Sequence, residues 1–331
     1  MLLSPFRSNQ FSASLLLIFY ATVLHIPAYW SRQLGLAAND AGASVLGKWM
    51  NTWTSWSDPW ALILPIMLLF IAGVIINRLT MRDHLGSSDT QFAGLFYILV
   101  GSYVAAFFPP NSMQLANLFL LFALFPFLAL YKHQGAVVPL FWSGWWLGFA
   151  FLTNSYYIIF LMAFMFAIPI FQPISLRRVF QLVSGWGAPL FLLFCKNYLS
   201  DTNDAFLSSL WNGVGYPGFY GAEGYWTYVG LGVLGLCMVW VFLARGKMAS
   251  QLQTDARYKI QVLYAVLIFA VLSLFLQQLI SASSLQIVVL PLGVLLGLVF
   301  SGLERSRGES LHLLLLGVFV AMQLLPFYLK Y

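Results

Sequence analysis

Apolar residues run through this chain in stretches too long and too unbroken to be one face of a soluble helix. Eleven of them, near residues 11–30, 59–77, 91–109, 113–131, 136–153, 155–172, 179–199, 226–244, 260–280, 284–302 and 310–329, are separated by short polar breaks. Most approach the roughly 20 residues that a helix needs to cross about 30 Å of hydrocarbon, at ~1.5 Å per residue. Membrane β-strands would instead alternate apolar and polar over about ten residues. Lipid offers no partner to peptide groups, so a spanning element must satisfy its own backbone, and continuous runs do that as helices. The pattern predicts an all-α integral membrane protein, a single polytopic domain over residues 1–331 with about 11 transmembrane helices. Thr153 and Asn154 alone separate two of the stretches, which predicts a tight helical hairpin there.

The polar breaks predict the orientation. With the N-terminus inside, the cytoplasmic side holds twelve cations, Arg7, Arg78, Arg82, Lys132, Arg177, Arg178, Arg245, Lys247, Arg257, Lys259, Arg305 and Arg307. The outer side then holds four, Arg32, Lys48, Lys196 and Lys330. Cytoplasmic loops are enriched in Lys and Arg, so the N-terminus is expected inside and the C-terminus outside. The first span could also be read as a signal peptide, with Arg7 before an apolar stretch and Gly35-Leu36-Ala37-Ala38 after it. The apolar stretch continues to Trp30, which favours a retained span.

Composition agrees with the pattern. Charged residues make up 8% of the chain and hydrophobic ones 61%, with a mean hydropathy of +0.84; soluble domains carry about 25% charged residues. The net charge of +6 is spread singly or in pairs through loops, a distribution of topology signals that excludes a nucleic-acid partner. Cys195 and Cys237 fall inside apolar runs and read as packing residues.

Candidate chemistry gathers on the outer side. The first outer segment, residues 31–58, leads to Trp49, Trp53, Trp56 and Trp60, spaced 4, 3 and 4 apart. That spacing marks one helical face and predicts an interfacial amphipathic helix after the first span; an aromatic belt opening the second span is the plainer alternative. The second outer segment, residues 200–225, contains WNGVGYPGFYGAEGYW and reads equally as a substrate lid or an ordered cap. His25, Asp58, Asn111, Asn154, Lys196, Asp201 and Asp204 are the candidate substrate-binding residues, and Asn117, Gln277 and Gln278 add polar groups near the same surface. Gly144 with Gly148, and Gly293 with Gly297, form small-xxx-small steps that predict close helix packing. There is no phosphate-binding glycine loop, metal-ligand spacing or nucleophile elbow, so no cofactor is identifiable.

Several stretches resemble an uncharacterised inner-membrane family of Bacteroidota, known as a domain of unknown function. These are MLLSPFRSNQ, IINRLTMRDHLGSSDTQFAGLFYILVGSYVAAFFPP, MQLANLFLLFALFPF, LRRVFQLVSGWGAPLFL, RYKIQVLYAVLIFAVLSL and VVLPLGVLLG. The resemblance covers most of the chain and implies a bacterial inner (cytoplasmic) membrane location. More distantly, LANLFLLFALFPFLALYKHQGAVVPLFWSGWWLGFAFLTN is similar to the core of GT-C glycosyltransferases, multi-pass enzymes that take sugars from polyprenyl-phosphate carriers at the outer leaflet. That likeness implies a catalytic acid early in the first outer loop, where Asp40 stands. It implies a second acid before LANLFLLFAL, where the chain has Pro109-Pro110-Asn111-Ser112, and a lysine after FLT, where it has Asn154. A divalent metal would belong with such an activity alone. The partners expected are membrane lipid, a polyprenyl-phosphate-linked sugar and other inner-membrane subunits. Two further readings stay open: a non-catalytic scaffold of an envelope complex, and a transporter of a lipid-like substrate.

Overall fold

The structure, a computed structural model, describes residues 3–8, 10–30, 40–54, 58–132, 137–219 and 225–328. Among the described residues the fold is helical: α1 (Phe11–Trp30), α2 (Val45–Thr54), α3 (Asp58–Arg82), α4 (Phe92–Gly101), α5 (Ser112–Ala129), α6 (Val137–Thr153), α7 (Ile158–Phe171), α8 (Leu176–Leu199), α9 (Asn203–Leu210), α10 (Tyr225–Gln251), α11 (Thr254–Leu272), α12 (Val289–Ser301) and α13 (Arg305–Tyr328). A two-residue parallel pairing joins β1 (Gly218–Phe219) to β2 (Leu279–Ile280). A helix lies in each of the eleven apolar stretches. Among the described residues, six helical segments are long and apolar enough to cross a membrane: Ile63–Arg82, Ser112–Ala129, Leu176–Leu199, Thr227–Gln251, Thr254–Leu276 and Ser283–Ser301.

The stretch 91–109 differs from its expected single span. Its helix, α4, stops at Gly101 after ten residues, about 15 Å, and bends and a 3-10 turn over Ala105–Phe107 follow. Pro109 and Pro110 lie eight and nine residues beyond the break; lacking amide donors, they keep regular helix from resuming before Asn111. Irregular backbone is tolerated at membrane depth where protein covers it, and Tyr103, Val104, Phe107 and Phe108 are all buried.

α4 and α12 form the centre, with every residue of α4 buried and α12 buried from Val289 to Phe300. The expected glycine packing is present. A Cβ on Gly293 would lie 2.6 Å from the Cα of Tyr97, so only glycine admits this spacing. Gly144 faces the Leu182 carbonyl and Gly185 the Phe141 carbonyl, which brings α6 and α8 backbone to backbone. The periphery is apolar and open, with Leu199 84%, Leu243 78% and Leu236 70% exposed, which suits a helix bathed in lipid rather than water.

Where α3 ends and α11 begins, the bundle encloses a charge cluster. Lys259 Nζ lies 2.9 Å from Asp83 Oδ1, and Arg82 lies 2.7 Å from Asp83 Oδ2. Arg82 also donates to the Phe125 carbonyl at 3.0 Å. Lys259, which reads in the sequence as a loop cation, is buried.

Candidate functional site

The opposite end of α5 carries the polar junction. Pro109 and Pro110 release the chain from helix, and Asn111 restarts it as the N-cap of α5, its Oδ1 accepting from the Met113 amide at 2.9 Å. The next residue, Ser112, meets the first outer segment. Asp40 Oδ2 accepts from the Ser112 amide at 2.9 Å and Oδ1 accepts from the Ser112 hydroxyl at 2.7 Å. Asn51, from α2, donates to Asp40 Oδ2 at 3.1 Å. The carboxylate thus takes up one of the free N–H groups that a helix start leaves without a partner. It also sits where negative charge is favoured.

Asn154 completes the junction from the α6–α7 hairpin. Its Nδ2 donates to Ser112 Oγ at 2.8 Å, and its Oδ1 accepts from the Tyr156 amide at 3.1 Å. Backbone bonds lock the two loops together, Ser44 to the Thr153 carbonyl and Ser155 to the Gly42 carbonyl. Ala43 and Asn154 form an isolated antiparallel bridge there. Tyr157 extends the network inward, donating to Asn117 Oδ1 at 2.8 Å, and Asn117 donates to the Gln286 carbonyl at 3.0 Å.

Burial pushes the Asp40 carboxyl above its ordinary value, and the donors from Ser112 and Asn51 oppose that rise without cancelling it. No cation stands beside it among the described residues. Ser44 Oγ, Ser155 Oγ and Asn111 Nδ2 are buried without hydrogen-bond partners. Buried polar atoms are nearly always paired, so these three mark unused polar capacity in the loops and helix start that form the junction.

α9 and the described residues after it close over this junction. α9 buries Phe206 and Leu210 against Phe151 and Leu152. Gly213, at φ +72° in the left-handed region that glycine adopts freely, turns its carbonyl to accept from both Tyr156 Oη at 3.2 Å and the Gln278 amide at 2.8 Å. Asn212 donates to the Ala43 carbonyl at 3.2 Å.

No family model matches the chain, and no curated protein sequence matches it.

The structure therefore brings together three of the residues singled out in the sequence, Asp40, Asn111 and Asn154, and leaves the others apart. His25 is buried in α1 with its ring edge on Phe108 at 5.0 Å, and its Nδ1 lies 2.8 Å from the Ala21 carbonyl. Lys196, Asp201 and Asp204 are exposed around the end of α8 and the start of α9. Asp58 opens α3, and its side chain lies outside the described residues, as do those of Trp53 and Trp56. Trp49 and Trp60 are turned outward, 59% and 60% exposed, while Met50 of α2 is buried against the protein. Among the described residues no group of three His, Cys, Asp or Glu side chains is placed to hold a metal.

The sequence marks Ser112 only as part of Pro109-Pro110-Asn111-Ser112 and gives Asn51 and Tyr156 no role. Serine and asparagine beside a proline pair signal an N-cap, and that signal marks the start of α5. Nothing local in the sequence pairs it with Asp40.

Proposed function

We propose that this is a multi-pass bacterial inner-membrane protein of GT-C glycosyltransferase-like architecture, handling a lipid-linked sugar at the outer leaflet. In this reading the eleven apolar stretches cross the membrane, N-terminus inside and C-terminus outside. α2 then lies in the outer interface with Trp49 toward the headgroups. One observation carries the reading. The three positions that the glycosyltransferase likeness pairs in function, Asp40, the segment before α5 and the residue after FLT, meet as Asp40–Ser112–Asn154 through contacts of 2.7 and 2.8 Å.

Asp40 is the group to carry a proton. Burial favours its neutral form, which brings it toward the range useful for general acid–base work on a hydroxyl. Ser44, Ser155 and Asn111 offer unpaired polar atoms to a polyhydroxylated ligand. The decisive substitution is Asp40→Asn, which preserves shape and most of the hydrogen bonding but cannot take up a proton. In a strain whose surface glycan depends on this protein, the variant should accumulate normally in the membrane while the glycan is lost. A normal glycan would exclude the proton-carrying role.

A second reading has its own support. Both oxygens of Asp40 are already engaged by three donors from α2 and α5, which is how a structural clamp is built. As a non-catalytic scaffold of an envelope complex, the protein would retain stoichiometric partners through mild-detergent purification, and Asp40→Asn would leave the glycan intact.

A further inference from the structure

At the starts of α6 and α8, on the far side of the Gly144–Gly185 contact from the polar junction, the two helices leave a groove of about 590 Å³. One wall is apolar and open, with Val138 63% and Trp142 47% exposed on α6 and Phe180 67% exposed on α8. The other is a polar stripe on α8: Arg177, Gln181 and Ser184, spaced 4 and 3 residues apart and so on one helical face. Arg177 is exposed at the rim with no ion-pair partner among the described residues. The neighbouring Arg178 is committed to the Pro173 carbonyl. Gln181, one turn deeper, has its amide oxygen buried without a partner.

We propose that this groove binds a phospholipid with an anionic headgroup. The layers of the groove match the layers of such a lipid. Arg177 takes the phosphate, for which a guanidinium is well shaped. The Gln181 side chain, which lines the groove one turn deeper, lies at the depth of the glycerol esters. The acyl chains lie on Val138, Trp142 and Phe180. The unpaired cation at the rim makes the site selective, since a basic residue near an anionic membrane surface strengthens attachment about fivefold. A zwitterionic lipid would fill the same apolar wall without that gain. This inference does not depend on the sugar-handling reading; it takes from it only that the site faces the cytoplasmic leaflet, where the basic loops lie.

The test is lipid retention by the full-length protein, extracted from nanodiscs containing equal phosphatidylglycerol and phosphatidylcholine and examined by native mass spectrometry. The wild type should retain phosphatidylglycerol preferentially. Arg177→Gln should reduce that preference about fivefold, and Arg178→Gln should leave it unchanged. Val138→Trp, at a solvent-open position where folding is not at stake, should reduce adducts of both lipids. Equal retention of the two lipids by the wild type would overturn the proposal, as would an undiminished preference in Arg177→Gln. Displacement of the adduct by inorganic phosphate alone would equally exclude a phospholipid as the occupant.

Discussion

Asp83 and Asp40 are carboxylates at opposite ends of α5, and their surroundings differ in kind. Asp83 is held by two cations, Lys259 at 2.9 Å and Arg82 at 2.7 Å, and Arg82 reaches on to the carbonyl of Phe125 near the end of α5. Asp40 is held at the start of α5 by a hydroxyl and two amide donors, with no cation beside it among the described residues. A buried charge costs several kcal/mol unless paired. The first site meets that cost with opposite charge and is committed to it. The second meets it with neutral dipoles, so its carboxylate is free to exchange a proton without leaving a stranded partner. The first arrangement fastens helices; the second leaves a group whose state can change.

Removing a partner separates the two most sharply. Lys259→Met should destabilise the protein by about 1.5–3 kcal/mol, because it strips one of two cations from a buried carboxylate that Arg82 still pairs. The double variant Asp83→Leu/Lys259→Met should recover most of that loss in a thermal-unfolding series in detergent. If the single and double variants are equally unstable, the pair is not acting as a compensated unit. At the other end, Asp40→Ala leaves the Ser112 and Asn51 donors without their acceptor and should cost on the order of 1–3 kcal/mol. Asp40→Asn should stay within about 1 kcal/mol of wild type, measured in the same series.

A pH titration sharpens the contrast further. The folded carboxyl of Asp40 titrates above its unfolded value of about 3.9, so the folded state holds its proton to higher pH than the unfolded one. Its contribution to stability is therefore complete below that unfolded value and is lost as pH rises through the folded one. The melting temperature of the wild type should fall over that interval relative to Asp40→Asn, and parallel pH profiles for the two would remove the assignment. Ser112→Ala should cost about 1–3 kcal/mol, since the backbone bond from Ser112 to Asp40 survives but the buried Asn154 amide loses its acceptor.

The helices were legible because each is written locally, in a continuous apolar run. The glycine steps were legible for the same reason: Gly144 and Gly148, and Gly293 and Gly297, lie on one face by spacing alone. What the runs conceal is where a helix stops inside one. α4 ends at Gly101, and a hydropathy pattern reads the whole of 91–109 as one apolar unit. The pairings are also hidden. Asp83 and Lys259 are 176 residues apart and Asp40 and Ser112 are 72 apart, so no periodicity connects them. Asp40 and Asn154 were visible as polar residues beside outer loops, but Ser112 was one small hydroxyl among many. The tryptophan spacing indicated a helix in the first outer segment; that Met50 faces the protein and Trp49 faces away depends on what α2 docks against.

The carbonyl of Gly213, shared between Tyr156 and Gln278, sets an order of assembly during synthesis. The hairpin that presents Asn154 and Tyr156 is complete once α7 has been made, but its cover must await residues near 213, and that cover is not fastened until residue 278 has emerged. At roughly 5–20 residues per second, the 124 residues from 154 to 278 take about 6–25 s to make. A truncated chain ending before Gln278 would therefore lack the Gln278 bond to Gly213 while keeping the contacts of α9 and Asn212 with the junction.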